Sequence, residues 1–188
     1  MTGSVVADSN GVGAELPAGE WRAYASAGYT AQDAAAALAR LRQRGWTLGV
    51  AESLTGGLLA AALIAVPGAS ATVRGAIVAY ATPLKHSLLG VDEELLARHG
   101  AVHPEVARQM ADGVRRAVAI DDRPAEVGIA TTGIAGPDSP DGQPVGTVHI
   151  GVSTPDASRV LSLRLDGDRA AIRSESVGFA LGALLSVV

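Results

Sequence analysis

The chain has 188 residues, 48% of them hydrophobic but only 3% aromatic, with a formal charge of −4 and a pI near 5.5. That length suits one domain, and its core must be packed from small aliphatic side chains. The acidic balance speaks against a nucleic-acid surface, and the lack of cysteine excludes disulfides, zinc–thiolate centres and cysteine nucleophiles.

Residues 1–20 mix Gly, Ser, Asn and Pro without periodicity and read as a flexible extension, with a single domain expected over 21–188. The N-terminus has no basic region followed by an apolar core, and no apolar run approaches the ~20 residues of a membrane span, so a cytoplasmic protein without a membrane partner is expected. With Thr30 as N-cap, AQDAAAALARLRQRG carries Ala, Leu and Arg at helical spacing and stops at Gly45. WTLGVAES is short, apolar and partly β-branched, which predicts a strand, and TGGLLAAALIAV follows as a buried helix closed by Pro67-Gly68. RGAIVAY, Arg74 to Tyr80, predicts a second strand. Thr82-Pro83 opens a helix through Leu89, and DEELLARHG supplies a shorter one. VHPEVARQMADGVRRAVAI is a long helix with Val106, Met110, Val114 and Val118 on one stripe. EVGIATTGIAG reads as a buried strand entering a glycine loop, and PVGTVHIGVST and SRVLSLRL alternate like an antiparallel pair. A last helix starts at Asp168 or Arg169, with Ala170, Val177, Leu181 and Leu184 on its inner stripe. Strands alternating with helices, then a strand pair and a final helix, predict a three-layer α/β/α domain with a mixed sheet.

Lys85 is the only lysine, the other fourteen of the 15 basic residues being arginine. Arginine keeps its proton, whereas a lysine in a desolvated or electropositive site loses it and becomes a base. With Thr82 as cap and Pro83 first in the helix, Lys85 falls at the third helical position, where the dipole disfavours an ammonium and lowers its pKa. Tyr80, at the end of the preceding strand, is placed to orient the amine or relay a proton. In AESLTGG a strand turns into a helix at Ser53, a candidate nucleophile, while Thr55, Gly56 and Gly57 offer backbone amides to an oxyanion or phosphate. The rival role for Ser53 or Thr55 is simple helix capping. The spacing Gly133-x-x-Gly136 is not a dinucleotide fingerprint, so no cofactor is expected. His99 and His103 are split by Gly100 and do not share a helical face; no metal site is expected. Asp168 reads as a cap and Arg169 as a solvated neighbour that could also reach a substrate anion.

Together the segments AESLTGG, GAIVAYATPLKHSLLGV and TGIAGPDSPDGQPVGTVHIGV, in this order, resemble the CinA C-terminal domain family, the competence-damage-inducible-like proteins that include nicotinamide-nucleotide amidases. The likeness covers roughly Leu41 to the C-terminus. It implies Ser53 as nucleophile with Tyr80 and Lys85 beside it, and Thr132, Gly133 and Gly136 in the substrate pocket. The implied reaction is hydrolysis of nicotinamide mononucleotide to nicotinic acid mononucleotide and ammonia without a metal. Thr82 stands where the family has Asn, Leu54 where it often has Cys, and Asp138-Ser139-Pro140-Asp141 replaces a plainer glycine-rich run. The larger two-domain relatives carry a molybdopterin-binding-like domain, so a stand-alone amidase is the expected form here, and a homo-oligomer is compatible with it. A catalytically silent nucleotide-binding or regulatory module is the alternative from another class; Schiff-base chemistry at Lys85 is a third.

Overall fold

The structure is a computed structural model that describes residues 31–139 and 142–188; the predicted extension and the Thr30 cap lie outside the described residues. The element order is α1 (Ala31–Gln43), β1 (Leu48–Glu52), α2 (Leu58–Ile64), a 3-10 turn at Ala69–Ala71, β2 (Val73–Val78), α3 (Thr82–Leu89), α4 (Glu93–His99), α5 (Pro104–Ala117), β3 (Val127–Gly133), β4 (Thr147–Ser153), β5 (Ser158–Arg164) and α6 (Arg169–Leu185). The five strands form one mixed sheet in the order β2-β1-β3-β4-β5. β1 runs parallel to β2 and β3, whereas β4 is antiparallel to both of its neighbours, β3 and β5. The expected three-layer α/β/α domain is therefore what the chain forms.

Strand alternation divides the core in two. Leu48 and Val50 of β1, Val127 and Ile129 of β3 and Val148, Ile150 and Val152 of β4 pack beneath α1, α2 and α6. The intervening positions face α5 and α3, and there the strands carry Gly49, Ala51, Gly128, Ala130 and Gly151. Small residues are required on that face because α5 lies almost on the sheet. A Cβ at Gly128 would sit 1.9 Å from the Ala111 carbonyl oxygen, and one at Gly151 would sit 2.2 Å from that of Ala107.

Element ends differ from expectation in ways that packing explains. β2 stops at Val78 rather than Tyr80: the Ala79 N–H makes a last bond to the Glu52 carbonyl, and the chain then turns into α3, capped at Ala81. α2 ends at Ile64, ahead of Pro67. In α6, Val177, Leu181 and Leu184 are buried as expected, but Ala170 is exposed and the helix is buried all round from Ser176 to Leu185. The cause is α1, whose Ala34, Ala37, Leu38 and Leu41 cover the outer side of α6. Arg40 ties the two by donating to the Leu185 carbonyl at 2.8 Å.

Gly128→Ala tests the close approach of α5. It should cost about 3 kcal/mol through steric overlap. For a domain of this size that lowers the melting temperature by roughly 6–12 °C. A fall of less than about 2 °C in thermal denaturation would show that α5 can lift off the sheet at little cost.

Candidate active site

The parallel strands β1 and β2 and the neighbouring β3 end on the same side of the domain, where open α/β sheets gather their ligands. Alternation sends consecutive residues at the end of β1 into opposite layers. Glu52, in phase with Leu48 and Val50, turns toward α2, and Ser53, in phase with Ala51, turns toward α3.

Lys85 meets Ser53 there. The lysine has 0% relative exposure, and its Nζ lies 3.1 Å from Ser53 Oγ, 2.8 Å from the Ala79 carbonyl oxygen and 3.5 Å from that of Tyr80. It is the fourth residue of α3 rather than the third, because Ala81 caps the helix and Thr82 is already inside it. Lys85 and Leu89 form the inward face of α3, with Leu84 and Leu88 outside. A neutral amine has two N–H groups and one lone pair. In the geometry present the amine donates toward all three oxygens, and a neutral Lys85 turned to present its lone pair to Ser53 Oγ would instead accept the hydroxyl proton across the same 3.1 Å.

The expected capping roles of Ser53 and Thr55 do not occur. The N-cap of α2 is Gly57, at φ 96°, with no side chain of its own to close the helix. Glu52, fully buried, does so instead: its carboxylate accepts from the N–H groups of Gly57 at 2.9 Å, Leu59 at 3.2 Å and Ala60 at 2.8 Å. The Gly57 amide is thus not free for an oxyanion or phosphate, and the Gly56 amide closes the turn on the Ser53 carbonyl at 3.2 Å. Thr55 anchors the turn to β3 through a 2.7 Å hydroxyl contact with Thr131. Among the described residues the N–H groups of Leu54 and Thr55 have no partner.

On β3 the expected pocket residues separate. Thr132 donates its hydroxyl to the Ala101 carbonyl at 2.7 Å, beneath the loop between α4 and α5. Because Ile134 N–H pairs with Thr147, ladder alternation assigns Thr132 N–H to β4 and turns Gly133 N–H toward the β1 side, beside Ser53. Gly136 has φ 82°, and its carbonyl accepts from Arg169 at 2.8 Å. Arg169 also donates to the Tyr80 hydroxyl at 3.1 Å, so this pair spans the mouth of the site from α6 to the end of β2. Tyr80 therefore meets Lys85 through its carbonyl, and the residue is exposed, with its hydroxyl on Arg169. Asp168 caps α6, accepting from Ala171 N–H at 2.8 Å.

The profile of the CinA C-terminal domain matches residues 30–188, most of the chain. The chain belongs to that family. It is 54% identical over 144 residues to a CinA-like protein of Frankia casuarinae, covering 77% of this chain and 32% of that protein. A CinA-like protein of Gloeobacter violaceus is 52% identical over 137 residues, 72% of this chain and 31% of its own length. The chain thus spans about a third of the curated relatives it matches. The fold superposes on a competence-damaged protein superfamily member from Escherichia coli with a TM-score of 0.78 at 33% identity, covering 85% of this chain and 91% of that one. It superposes on the competence/damage inducible protein of Agrobacterium tumefaciens with a TM-score of 0.76 at 34% identity, covering 84% and 94%.

Where this CinA domain departs from the family pattern, the substitutions fit their surroundings. Leu54 is buried in the α1/α2/α6 core, which a leucine fills, and Thr82 is exposed in the first turn of α3. His99 and His103 do come together, with ring centroids 4.7 Å apart, across the turn at Gly100 that joins α4 to the segment leading into α5. His103 there caps α5 by accepting from Glu105 N–H at 3.2 Å. No cluster of three metal-ligating side chains occurs among the described residues, and no helix among them is long and apolar enough to cross a membrane. A groove of about 430 Å³ lined by residues from Ile64 to Gly75 lies at the start of β2, the opposite end of the sheet from Ser53.

Two residues of the site escape motif reading: Glu52 and Arg173. Strand parity identifies Glu52, since it puts a carboxylate in the apolar layer directly ahead of a helix that lacks a capping side chain. Glu52→Gln should destabilise the domain by about 2 kcal/mol, because an amide accepts fewer and weaker bonds from these amides. Hydrogen exchange at Gly57, Leu59 and Ala60 should accelerate more than in the rest of the sheet; unchanged exchange at these amides would rule the cap out.

Proposed function

We propose that this protein is an amidohydrolase that converts nicotinamide mononucleotide to nicotinic acid mononucleotide and ammonia through Ser53 and Lys85. The observation that carries the proposal is the 3.1 Å approach of a fully buried lysine amine to a serine hydroxyl at the ends of the parallel strands. The choice of substrate is supported by the resemblance of the three sequence segments to nicotinamide-nucleotide amidases. Such a substrate is a phosphorylated metabolite, consistent with a cytoplasmic enzyme.

In this scheme the Lys85 lone pair takes the Ser53 proton as Oγ attacks the carboxamide carbon. The carbonyl oxygen becomes an oxyanion, held by amides from the set Leu54, Thr55 and Gly133. The Lys85 ammonium returns its proton to the amide nitrogen, the C–N bond breaks and ammonia leaves. Water, deprotonated by the same amine, then attacks the acyl-serine ester. The acid is released and Ser53 recovers its proton. Arg169 and the start of α6 would receive the nucleotide phosphate, with the Tyr80 hydroxyl holding the guanidinium in place.

Ser53→Ala should reduce ammonia release from nicotinamide mononucleotide by at least ~10³-fold. Lys85→Arg, which keeps a cation but loses the base, should reduce it by ~10²- to 10⁴-fold. Full turnover in Lys85→Arg would exclude the dyad. A wild-type protein that binds the nucleotide but releases no ammonia would instead be the silent binding module. Tyr80→Phe separates two roles for the phenol. With the hydroxyl acting on Arg169, KM should rise about fivefold, the equivalent of one hydrogen bond, with kcat little changed. A collapse of kcat would restore Tyr80 as a proton carrier.

A further inference from the structure

Arg173 lies one turn beyond Arg169 on α6 and outside every segment of the family resemblance. Its Nε donates to the Leu54 carbonyl at 2.9 Å and its Nη2 to the Thr55 carbonyl at 2.9 Å. Among the described residues no carboxylate lies within ion-pair distance of it. A half-buried guanidinium is thus committed to two successive peptides of the turn that carries Ser53.

A trans peptide is planar, so each N–H points opposite to the carbonyl of the same unit. The Thr55 carbonyl faces Arg173, and the Gly56 N–H opposite it closes the turn on the Ser53 carbonyl. The Leu54 carbonyl also faces Arg173, so the Thr55 N–H opposite it points away from α6, toward the layer of Ser53 Oγ and Lys85. That N–H is one of those without a partner among the described residues. A cation on a carbonyl also draws electron density from the peptide and strengthens its N–H as a donor.

We infer that Arg173 is a positioning residue that fixes and polarises the Leu54–Thr55 peptide so that the Thr55 N–H receives the oxyanion formed when Ser53 is acylated. This rests on the amidase proposal for its substrate but on the turn itself for its geometry. Lysine cannot replace it, because only the planar fork grips two peptides at once.

The full chain as wild type, Arg173→Ala and Arg173→Lys is assayed in two ways. The first is ammonia release from nicotinamide mononucleotide; the second is the rate at which a fluorophosphonate labels Ser53, which needs the oxyanion donors but no pyridine substrate. Both variants should lose ~10- to 100-fold in kcat with KM nearly unchanged, and labelling should slow in proportion. Added guanidinium ion should restore part of the activity of Arg173→Ala and none of Ser53→Ala. If Arg173→Ala does not fold, Arg173→Lys carries the same two readouts. A wild type that labels at Ser53 but releases no ammonia, with slowed labelling in the variants, sinks the amidase proposal and leaves Arg173 in its role. Unchanged kcat and labelling in a folded variant overturn the inference. So does a loss confined to KM, or one that tracks melting temperature and resists guanidinium rescue. A wild type that neither labels nor releases ammonia overturns it together with the amidase proposal.

Discussion

A lysine side chain without accessible surface must find its hydrogen-bond partners inside the protein, and Lys85 finds them where two parallel strands end. The carbonyls of Ala79 and Tyr80 and the hydroxyl of Ser53 surround the amine. Each contact depends on a separate structural decision. β2 must stop at Val78 so that the next two carbonyls turn toward α3, and α3 must start at Thr82 so that Lys85 and Leu89 share its inward face. Ser53 must fall in the same layer, and the parity of β1 places it there.

The same parity explains how one tight turn serves both layers. Glu52 works in the α2 layer and holds three backbone amides of the first turn of α2. Arg173 grips the carbonyls of Leu54 and Thr55 from α6. Ser53, between them in sequence, faces the other way. The turn is therefore fixed by Glu52 and Arg173 on the side away from the proposed chemistry, and among the described residues its remaining unpaired N–H groups are those of Leu54 and Thr55. Such preorganised donors need no rearrangement when negative charge develops beside them.

Much of this was legible in the sequence. Apolar period with Pro and Gly punctuation locates every strand and α-helix from α1 onward, and the mixed sheet follows from the two alternating segments after β3. Lys85 stood out because arginine is the chain's habitual cation. What stayed hidden depends on contacts between elements distant in sequence. Arg173 is 119 residues from Leu54, and nothing local to either residue announces the pair. The Tyr80 hydroxyl turns to Arg169, 89 residues away, instead of to the lysine five residues on. His99 and His103 were judged by helical spacing, which does not apply across the turn at Gly100. The rival capping role for Ser53 or Thr55 follows from residue type alone, whereas a carboxylate from the preceding strand reaches the same amides.

Because Lys85 is the only lysine, selective isotope labelling of lysine produces a side-chain signal from a single residue. Its Cε and Nζ chemical shifts report directly whether the amine is protonated. In folded protein at pH 8 this account predicts the shifts of a neutral amine, moving to those of an ordinary exposed lysine on denaturation at the same pH. Ammonium shifts that persist in the folded state up to the range where free lysine titrates would contradict it, since Lys85 would then have no lone pair with which to activate Ser53.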